Sequence, residues 1–349
     1  MKNTKNMKRA AIARRDDRRG VARTRHPRYR ERFLRGAAMG GKGTWVGAGA
    51  LMAALLAGCG NRDGHAPGTP LPQPVYRMTP QQVDGYLARL QATEPDLRKR
   101  IAAIGRRTIG QPYRLNLLGE FPYQVHDELP MFSLQYSDCV VFAEQTYAMA
   151  LSASWEEFFW MLQRIRYRDG VIGVATRNHY TEQDWNVNNR WLVTDVSADL
   201  GGQDAASYEL TVDRATFLRT RHRTEAALPV TRSRETYVPT TVALRVLGRL
   251  TDGDFVNVVS TRDGKYWVSH VGLVVTRPDG SRHFLNSAEP QVREETFDTF
   301  IARAARRADE QARTGKPVTR LAGFKFLRLN DAIVVPPALP QPRPLRAPH

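Results

Sequence analysis

The chain has 349 residues, of which 42% are hydrophobic and 9% are aromatic, a composition typical of globular proteins. Its formal net charge of +17 comes mostly from residues 1–58, which hold 15 basic and 3 acidic side chains. The remaining sequence holds 37 basic and 32 acidic residues, so its mild charge excludes nucleic acid as a leading partner. Two cysteines are too few for a disulfide framework.

An apolar stretch of 13 residues, 45–57, follows Lys42 near the start of the chain. Crossing a bilayer takes about 20 residues, so this length is typical of the apolar part of a signal peptide instead. The sequence Leu-Ala-Gly-Cys at 56–59 resembles a bacterial lipobox, which implies cleavage before Cys59 and a lipid on its sulfur. The residue after Cys59 is Gly60 and not the aspartate that would indicate retention in the inner membrane, so the outer membrane is the favoured location.

Residues 1–38 are rich in arginine, and two interpretations remain open. In the first, they are a twin-arginine or nucleic-acid-binding arm. In the second, translation starts at Met39, which leaves a compact signal peptide with Lys42 as its positive charge. We favour the start at Met39. In either case residues 1–58 are assigned to a signal region and excluded from the fold. Residues 59–78, with the lipidated cysteine and many Gly, Pro, Asp and Asn residues, are predicted to be a tether.

Helix-start patterns open the folded part of the chain. Thr79 is followed by proline at the first helical position and glutamine at the third, which predicts a helix. A second helix is predicted to begin near 94–96. Ser137 and Asp138 are good N-cap residues, so Cys139 is predicted in the first turn of a third helix. A fourth helix begins after Ser154.

The later sequence is predicted to be mostly β-structure. A short strand is predicted over 113–118, a polar and aromatic connector follows at 177–186, and residues 188–235 are interpreted as strands with an insertion. From Tyr237 onward the sequence is β-like, with turns at Asp-Gly pairs. The predicted strands are 255–259, 267–276, 283–287 and 324–329, and a helix is predicted over 297–308.

Cys139 is the first candidate for chemistry. At a helix start, free N–H groups and the helix dipole favour an anion, so the pKa of the thiol is expected to fall from about 8.5 toward neutrality. The alternative is an unreactive buried cysteine.

His270 lies at the start of an apolar strand and is the candidate base. Antiparallel pairing with the next strand brings Asn286 or Ser287 beside it, where an amide oxygen could hold one ring nitrogen toward Cys139. Taken alone, His270 is better explained as a structural histidine, but the cysteine and asparagine together favour catalysis.

Four sequence blocks occur in one order: Asp-Cys at 138–139, Gly-Asp-Phe-Val at 253–256, Ser-His-Val-Gly at 269–272 and Leu-Asn-Ser-Ala at 285–288. Together they resemble the NlpC-type cell-wall cysteine peptidases. Further segments resemble the N-acetylmuramoyl-L-alanine amidase-like branch of this group. They are Asp-Cys-Val-Val-Phe-Ala-Glu at 138–144, Arg-Asn-His-Tyr at 177–180, Asp-Trp at 184–185 and Asn-Asn at 188–189. The similarity runs from Thr79 to Leu329.

The resemblance implies an α+β fold of the circularly permuted papain-like type, in which a cysteine-bearing helix packs on an antiparallel sheet. The domain is assigned to 79–330 and is followed by a proline-rich tail, 331–349, that is predicted to be extended or disordered. The resemblance implies that Cys139 is the nucleophile, that His270 is the base and that Asn286 orients the base. No metal or other cofactor is implied, and no His-Glu-x-x-His zinc motif occurs.

The implied reaction is hydrolysis of the amide between N-acetylmuramic acid and L-alanine in peptidoglycan fragments. The sugar or peptide contacts are predicted to come from Tyr136, His179, Tyr180 and Trp185. The implied partners are muropeptides and, through Cys59, a membrane of the bacterial cell envelope, with the protein facing the periplasm. The sequence does not predict an oligomeric state.

Three alternatives stay open. The same Cys-His pair could cleave the stem peptide between D-glutamate and a diamino acid. The protein could instead be a lipoprotein that binds muropeptides without catalysis, although retention of the cysteine, histidine and asparagine argues against this. An acyltransferase on a related fold is compatible with a lipid anchor, but no apolar channel is evident in the sequence.

Overall fold

The computed structural model describes residues 73–124, 128–337 and 339–345. All of them fall within one compact unit, Thr69–His349. The predicted signal region and Cys59 lie outside the described residues. Among the residues that are described, no helix is long and apolar enough to cross a membrane.

The first helices of the described chain are α1 (Pro80–Thr93), α2 (Leu97–Arg106), α3 (Cys139–Ala150) and α4 (Trp155–Arg166). The predicted helix start at Thr79 is confirmed, because its side chain accepts from the Gln82 amide while the Gln82 side chain accepts from the Thr79 amide. Asp96 caps α2 by accepting from the amides of two residues in its first turn.

Shorter helices and one long helix follow: α5 (Asn186–Asn188), α6 (Ser197–Gly201), α7 (Arg214–Phe217), α8 (Thr240–Val246) and α9 (Phe297–Arg313). The strands are β1 (Val193–Asp195), β2 (Ala206–Val212), β3 (Thr231–Pro239), β4 (Phe255–Arg262), β5 (Lys265–Thr276), β6 (Arg282–Ala288), β7 (Gln291–Thr296) and β8 (Arg320–Leu329). They form one antiparallel sheet in the order β2-β3-β8-β4-β5-β6-β7, with β1 paired to β8. The α+β class is therefore confirmed.

The turn between β4 and β5 shows why the Asp-Gly pair predicts a hairpin. Asp263 and Gly264 have φ angles of 51° and 73°, and two consecutive left-handed residues match the right-handed twist of paired strands. Further along this hairpin, the pairing shifts by one residue between Val258 and Val259. This β-bulge lies beside His270, the partner of Val258.

Helices cover the sheet on both faces. On one face, α3 contributes Phe142 and Tyr147 to a buried cluster that includes Leu273 of β5. On the other face, α9 contributes Phe297 and Phe300 to a second buried cluster with residues of β6 and β8. Because side chains alternate along a strand, β5 supplies residues to both clusters and separates the two layers.

Two predicted elements are wrong. Residues 113–118 form no strand; within the described chain, Pro112 and Tyr113 make only isolated bridges, to Gln291 and Ser137 respectively. A segment that pairs with a different partner at each residue cannot build a ladder. The apolar sequence after Tyr237 contains α8, because Pro239 ends β3 and the next apolar side chains recur at helical spacing.

The described part of the proline-rich tail has no helix or strand, in agreement with its composition. It is nevertheless held against the domain by hydrogen bonds at Asp331, Gln341 and Leu345, and Asp331 accepts from Arg98 at 3.1 Å. The Gln341 amide donates to the Gly170 carbonyl at 2.7 Å and accepts from the Ile172 N–H at 3.1 Å. The Leu345 N–H donates to the Pro122 carbonyl at 2.8 Å.

Candidate functional site

Cys139 is the first residue of α3 and is half-buried. The preceding residue, Asp138, caps the helix by accepting from the Val141 N–H at 2.9 Å. The amides of Val271, Val140 and Cys139 itself face the thiol closely enough to lower its pKa. Val271 follows His270 on β5, so the thiol faces the backbone amide of the residue next to the candidate base.

Burial has the largest effect on the thiol. It raises the pKa of Cys139 to about 12, and the Asp138 carboxylate adds to the rise, whereas the three amides oppose it. The expectation that a helix start lowers this pKa toward neutrality is therefore wrong, since loss of solvation outweighs the helix-start amides. The thiol is protonated at neutral pH before a substrate binds.

The structure brings His270 and Asn286 together. The ring Nε2 of His270 lies 3.1 Å from Oδ1 of Asn286, which is fully buried. The other amide atom of Asn286, Nδ2, donates to Oε1 of Glu295 at 3.1 Å. This second bond turns the amide oxygen toward the ring, so Nε2 carries the imidazole proton and Nδ1 is the basic nitrogen. Ser287, the alternative partner, points elsewhere and bonds to Ser137 at 2.9 Å.

The His270 imidazole is neutral at pH 7. Burial lowers its pKa to about 4; the bond to Asn286 opposes this, and Arg303 and Arg293 lower the pKa further. Within the described residues no hydrogen bond joins the thiol to the ring. The resting site therefore combines a neutral thiol with a neutral imidazole, and catalytic hydrogen bonds commonly tighten only when substrate is bound.

A cavity of about 500 Å³ opens beside His270. The imidazole stacks on Phe300 of α9, with ring centres 6.1 Å apart, and meets the edge of Phe284. Tyr113 also lines this cavity. Burial, followed by the charges of Cys139, Asp138 and Glu289, raises the pKa of Tyr113 to about 12. The Tyr113 backbone bridges to Ser137, two residues before Cys139.

Sequence reasoning missed Tyr113 and Glu295. Tyr113 follows the turn residues Gly-Gln-Pro, and a single tyrosine after a turn carries no chemical pattern of its own. Glu295 lies on β7, an element that the charged sequence Gln-Val-Arg-Glu-Glu-Thr did not predict. Its carboxylate is 9% exposed and forms an ion pair with Arg303 at 2.6 Å.

The predicted substrate contacts lie in different places. Tyr136 is exposed, with its ring centre 5.5 Å from the Arg114 guanidinium. His179 and Tyr180 lie on the connector, where their rings contact Phe217 at 5.0 and 5.3 Å. None of these three predicted residues lines the His270 cavity.

His179 is largely enclosed by its own connector. Its Nε2 lies 2.7 Å from the Val174 carbonyl. Burial lowers the pKa of the ring to about 3, and the nearby Arg177 adds to the effect. The imidazole is therefore neutral over the physiological range.

Trp185 is a core residue, and the prediction that it contacts substrate is wrong. Only 1% of it is exposed, and its ring centre lies 4.3 Å from that of Phe255. Its indole N–H donates to Glu144 at 3.1 Å, and Glu144 also pairs with Arg166 at 3.5 Å. Aromatic packing and this hydrogen bond occupy the whole side chain.

The described residues contain no group of three or more His, Cys, Asp or Glu side chains placed to hold a metal ion. A larger cavity, of about 630 Å³, lies between the connector and strands β3 and β8. Its lining includes Glu182, Arg232 and Lys325 but none of the predicted catalytic residues.

Solved structures contain the same fold. A Legionella pneumophila protein of the DUF1460 family aligns with 72% of this chain and 94% of its own, at 18% identity and a TM-score of 0.58. An N-acetylmuramoyl-L-alanine amidase from Bacteroides uniformis aligns with 67% of this chain and 99% of its own, at 19% identity and a TM-score of 0.52. At these identities the likeness defines a shared α+β fold.

The family follows from the sequence itself. The profile described as AmiA-like, N-acetylmuramoyl-L-alanine amidase-like, matches residues 103–308, more than half of the chain. The chain belongs to this amidase-like family. The matched region contains Cys139, His270, Asn286 and Glu295. A comparison with curated proteins finds no match.

Proposed function

We propose that the protein is a cysteine amidase that hydrolyses the bond between N-acetylmuramic acid and L-alanine in peptidoglycan fragments. The observation that carries this proposal is the His270–Asn286 pair, whose neighbour on β5, Val271, presents its amide to the thiol of the helix-start cysteine Cys139. Membership of the amidase-like family and the resemblance to NlpC-type peptidases, with their circularly permuted papain-like fold, support the same assignment.

In the proposed reaction, Nδ1 of His270 takes the thiol proton as the Cys139 sulfur attacks the lactyl amide carbonyl. The amide N–H of Cys139 is free to stabilise the oxyanion, because first-turn amides have no partner within the helix. The phenol of Tyr113 is the second donor to the oxyanion. His270 then gives its proton to the departing L-alanine amine. Water activated by the neutral imidazole hydrolyses the thioester and releases the muramic acid product.

Product analysis tests this assignment. The chain from residue 60 is incubated with purified muropeptides, and the products are identified by mass spectrometry. Free stem peptide beginning with L-alanine is expected. Cleavage between D-glutamate and the diamino acid would instead identify an endopeptidase with the same nucleophile. Tight binding without any product would contradict an enzymatic role.

Glu295 is proposed as a positioning residue. Glu295→Ala frees the Asn286 amide to rotate, and kcat is expected to fall roughly tenfold, the lower end for outer-shell partners of catalytic groups. Glu295 also raises the pKa of His270, so its loss shifts the acid limb of the kcat/KM profile to lower pH. Glu295→Gln retains an acceptor oxygen and is expected to restore kcat while keeping the shifted limb. If neither variant moves the limb, Glu295 has only a structural role.

We also propose that Cys59 carries the lipid that anchors the protein to the outer membrane, with the domain facing the periplasm. The lipobox-like sequence at 56–59 supports this proposal. Labelling cells with radioactive palmitate is expected to mark the protein, whereas Cys59→Ala is expected to lose the label and the membrane association. Equal labelling of both forms would contradict lipidation at this position.

A further inference from the structure

Three arginines line the His270 cavity: Arg293, Arg303 and Arg307. The lining contains one carboxylate, Glu289. Behind the wall, a single oxygen of Glu295 is shared by Arg303 at 2.6 Å and Arg293 at 3.4 Å. The cationic side chains therefore outnumber the carboxylates that face or support this cavity.

The three arginines differ in whether an acidic group already pairs with them. Arg303 and Arg293 are both paired with Glu295, and Arg293 also donates to the Glu289 carbonyl at 3.0 Å. Arg307 is exposed on α9 and forms no ion pair in the described part of the chain. A guanidinium without a charge partner at the wall of a cavity is suited to an anionic ligand, and guanidinium groups match carboxylates in geometry.

The position of His270 indicates which part of a substrate reaches this cavity. In the proposed amidase reaction His270 protonates the departing amine, so the leaving group must lie on the side of its ring. The lactyl group on the other side of the bond has no free acid, because its carboxyl forms the amide. The stem peptide that leaves, in contrast, carries the carboxylate of D-glutamate and those of the residues after it.

We propose that the three arginines form a subsite for the stem peptide and bind its carboxylates, with Arg307 as the residue that selects a charged stem. This inference rests on the proposed function, since it assigns the leaving peptide to one wall of the same site. An arriving carboxylate also offsets the positive field that Arg303 and Arg293 impose on His270. Binding of the charged stem therefore makes the imidazole a better proton acceptor.

The test compares two matched muropeptides, one with a free D-glutamate α-carboxylate and one in which that group is amidated. Arg307→Gln in the full chain is expected to raise KM for the acidic substrate about tenfold, the effect of losing one charge-assisted contact. The KM for the amidated substrate is expected to rise less, because amidation has already removed one of the carboxylates that the subsite binds.

Arg306 provides the matched control. It is the neighbouring arginine on α9, is exposed and does not line the cavity. Arg306→Gln removes the same charge from the same helix and is expected to leave both KM values unchanged. Equal effects of the two substitutions, or equal changes for the acidic and amidated substrates, would overturn the subsite.

A binding measurement separates this inference from the proposed reaction. Calorimetry with the full-length Cys139→Ala chain and the synthetic stem L-alanyl-γ-D-glutamyl-diaminopimelate needs no turnover. If the protein cleaves no muropeptide but the added Arg307→Gln weakens this binding about tenfold while Arg306→Gln does not, the subsite stands and the amidase assignment fails. Absence of stem binding to the Cys139→Ala chain overturns the subsite.

Discussion

Cys139→Ala is expected to reduce muropeptide cleavage by at least about a thousandfold, because it removes the proposed nucleophile and leaves only substrate binding. Cys139→Ser keeps the geometry at the start of α3, but its hydroxyl is a far weaker nucleophile, so a comparable loss is expected. Both rates are measured by chromatography of the released stem peptide at a fixed enzyme concentration.

The control is the fold of each variant. The Cys139 side chain is small and half-buried, so Cys139→Ser is expected to unfold at nearly the same temperature as the unaltered protein. A raised thiol pKa also predicts slow alkylation of Cys139 by iodoacetamide at pH 7, with the rate rising as pH increases. Cleavage above a tenth of the normal rate in Cys139→Ala would assign the nucleophile to another group.

His270→Ala is expected to lower kcat/KM by about 10² to 10⁴, the contribution typical of a general base that also acts as an acid. The pH dependence gives the diagnostic readout. The basic nitrogen must be unprotonated, and the pKa of His270 is about 4, so kcat/KM is expected to fall as pH drops toward 4 and below. This acid limb should disappear in His270→Ala.

A second histidine of the sheet serves as the comparison. His283 lies on β6 opposite Val275 and does not line the His270 cavity. His283→Asn is expected to retain the acid limb near pH 4 even if its overall rate changes. An unaltered limb in His270→Ala would show that another group controls this ionisation.

Local patterns predicted the parts of the site that depend on neighbours in sequence. Asp138 caps the helix that begins at Cys139, and the turn after β5 returns the chain so that Asn286 meets His270. The pairing of Leu273 with Leu285 makes the histidine–asparagine contact diagonal, which the alternation of side chains allows. The choice between Asn286 and Ser287 required the strand register, since neighbouring residues point to opposite faces.

The remaining features depend on tertiary packing that no motif encodes. Glu295 and Arg307 lie on elements whose charge-rich sequences resemble any solvated surface, and only the docking of β7 and α9 brings them to His270. Trp185 occurs in a polar connector, yet the fold buries it. The pKa of Cys139 depends on how completely the surrounding residues exclude water, which a helix-start pattern does not report.

The two faces of the sheet carry different parts of the proposed site. Cys139 belongs to the layer that packs with α3, whereas the arginines at 303 and 307 belong to α9 on the opposite face. Under the proposed function, exchange of exposed α9 residues is therefore expected to alter peptide selectivity without repacking the helix that carries Cys139. This separation makes α9 the natural element to diversify in a library that seeks hydrolases for stems of different charge.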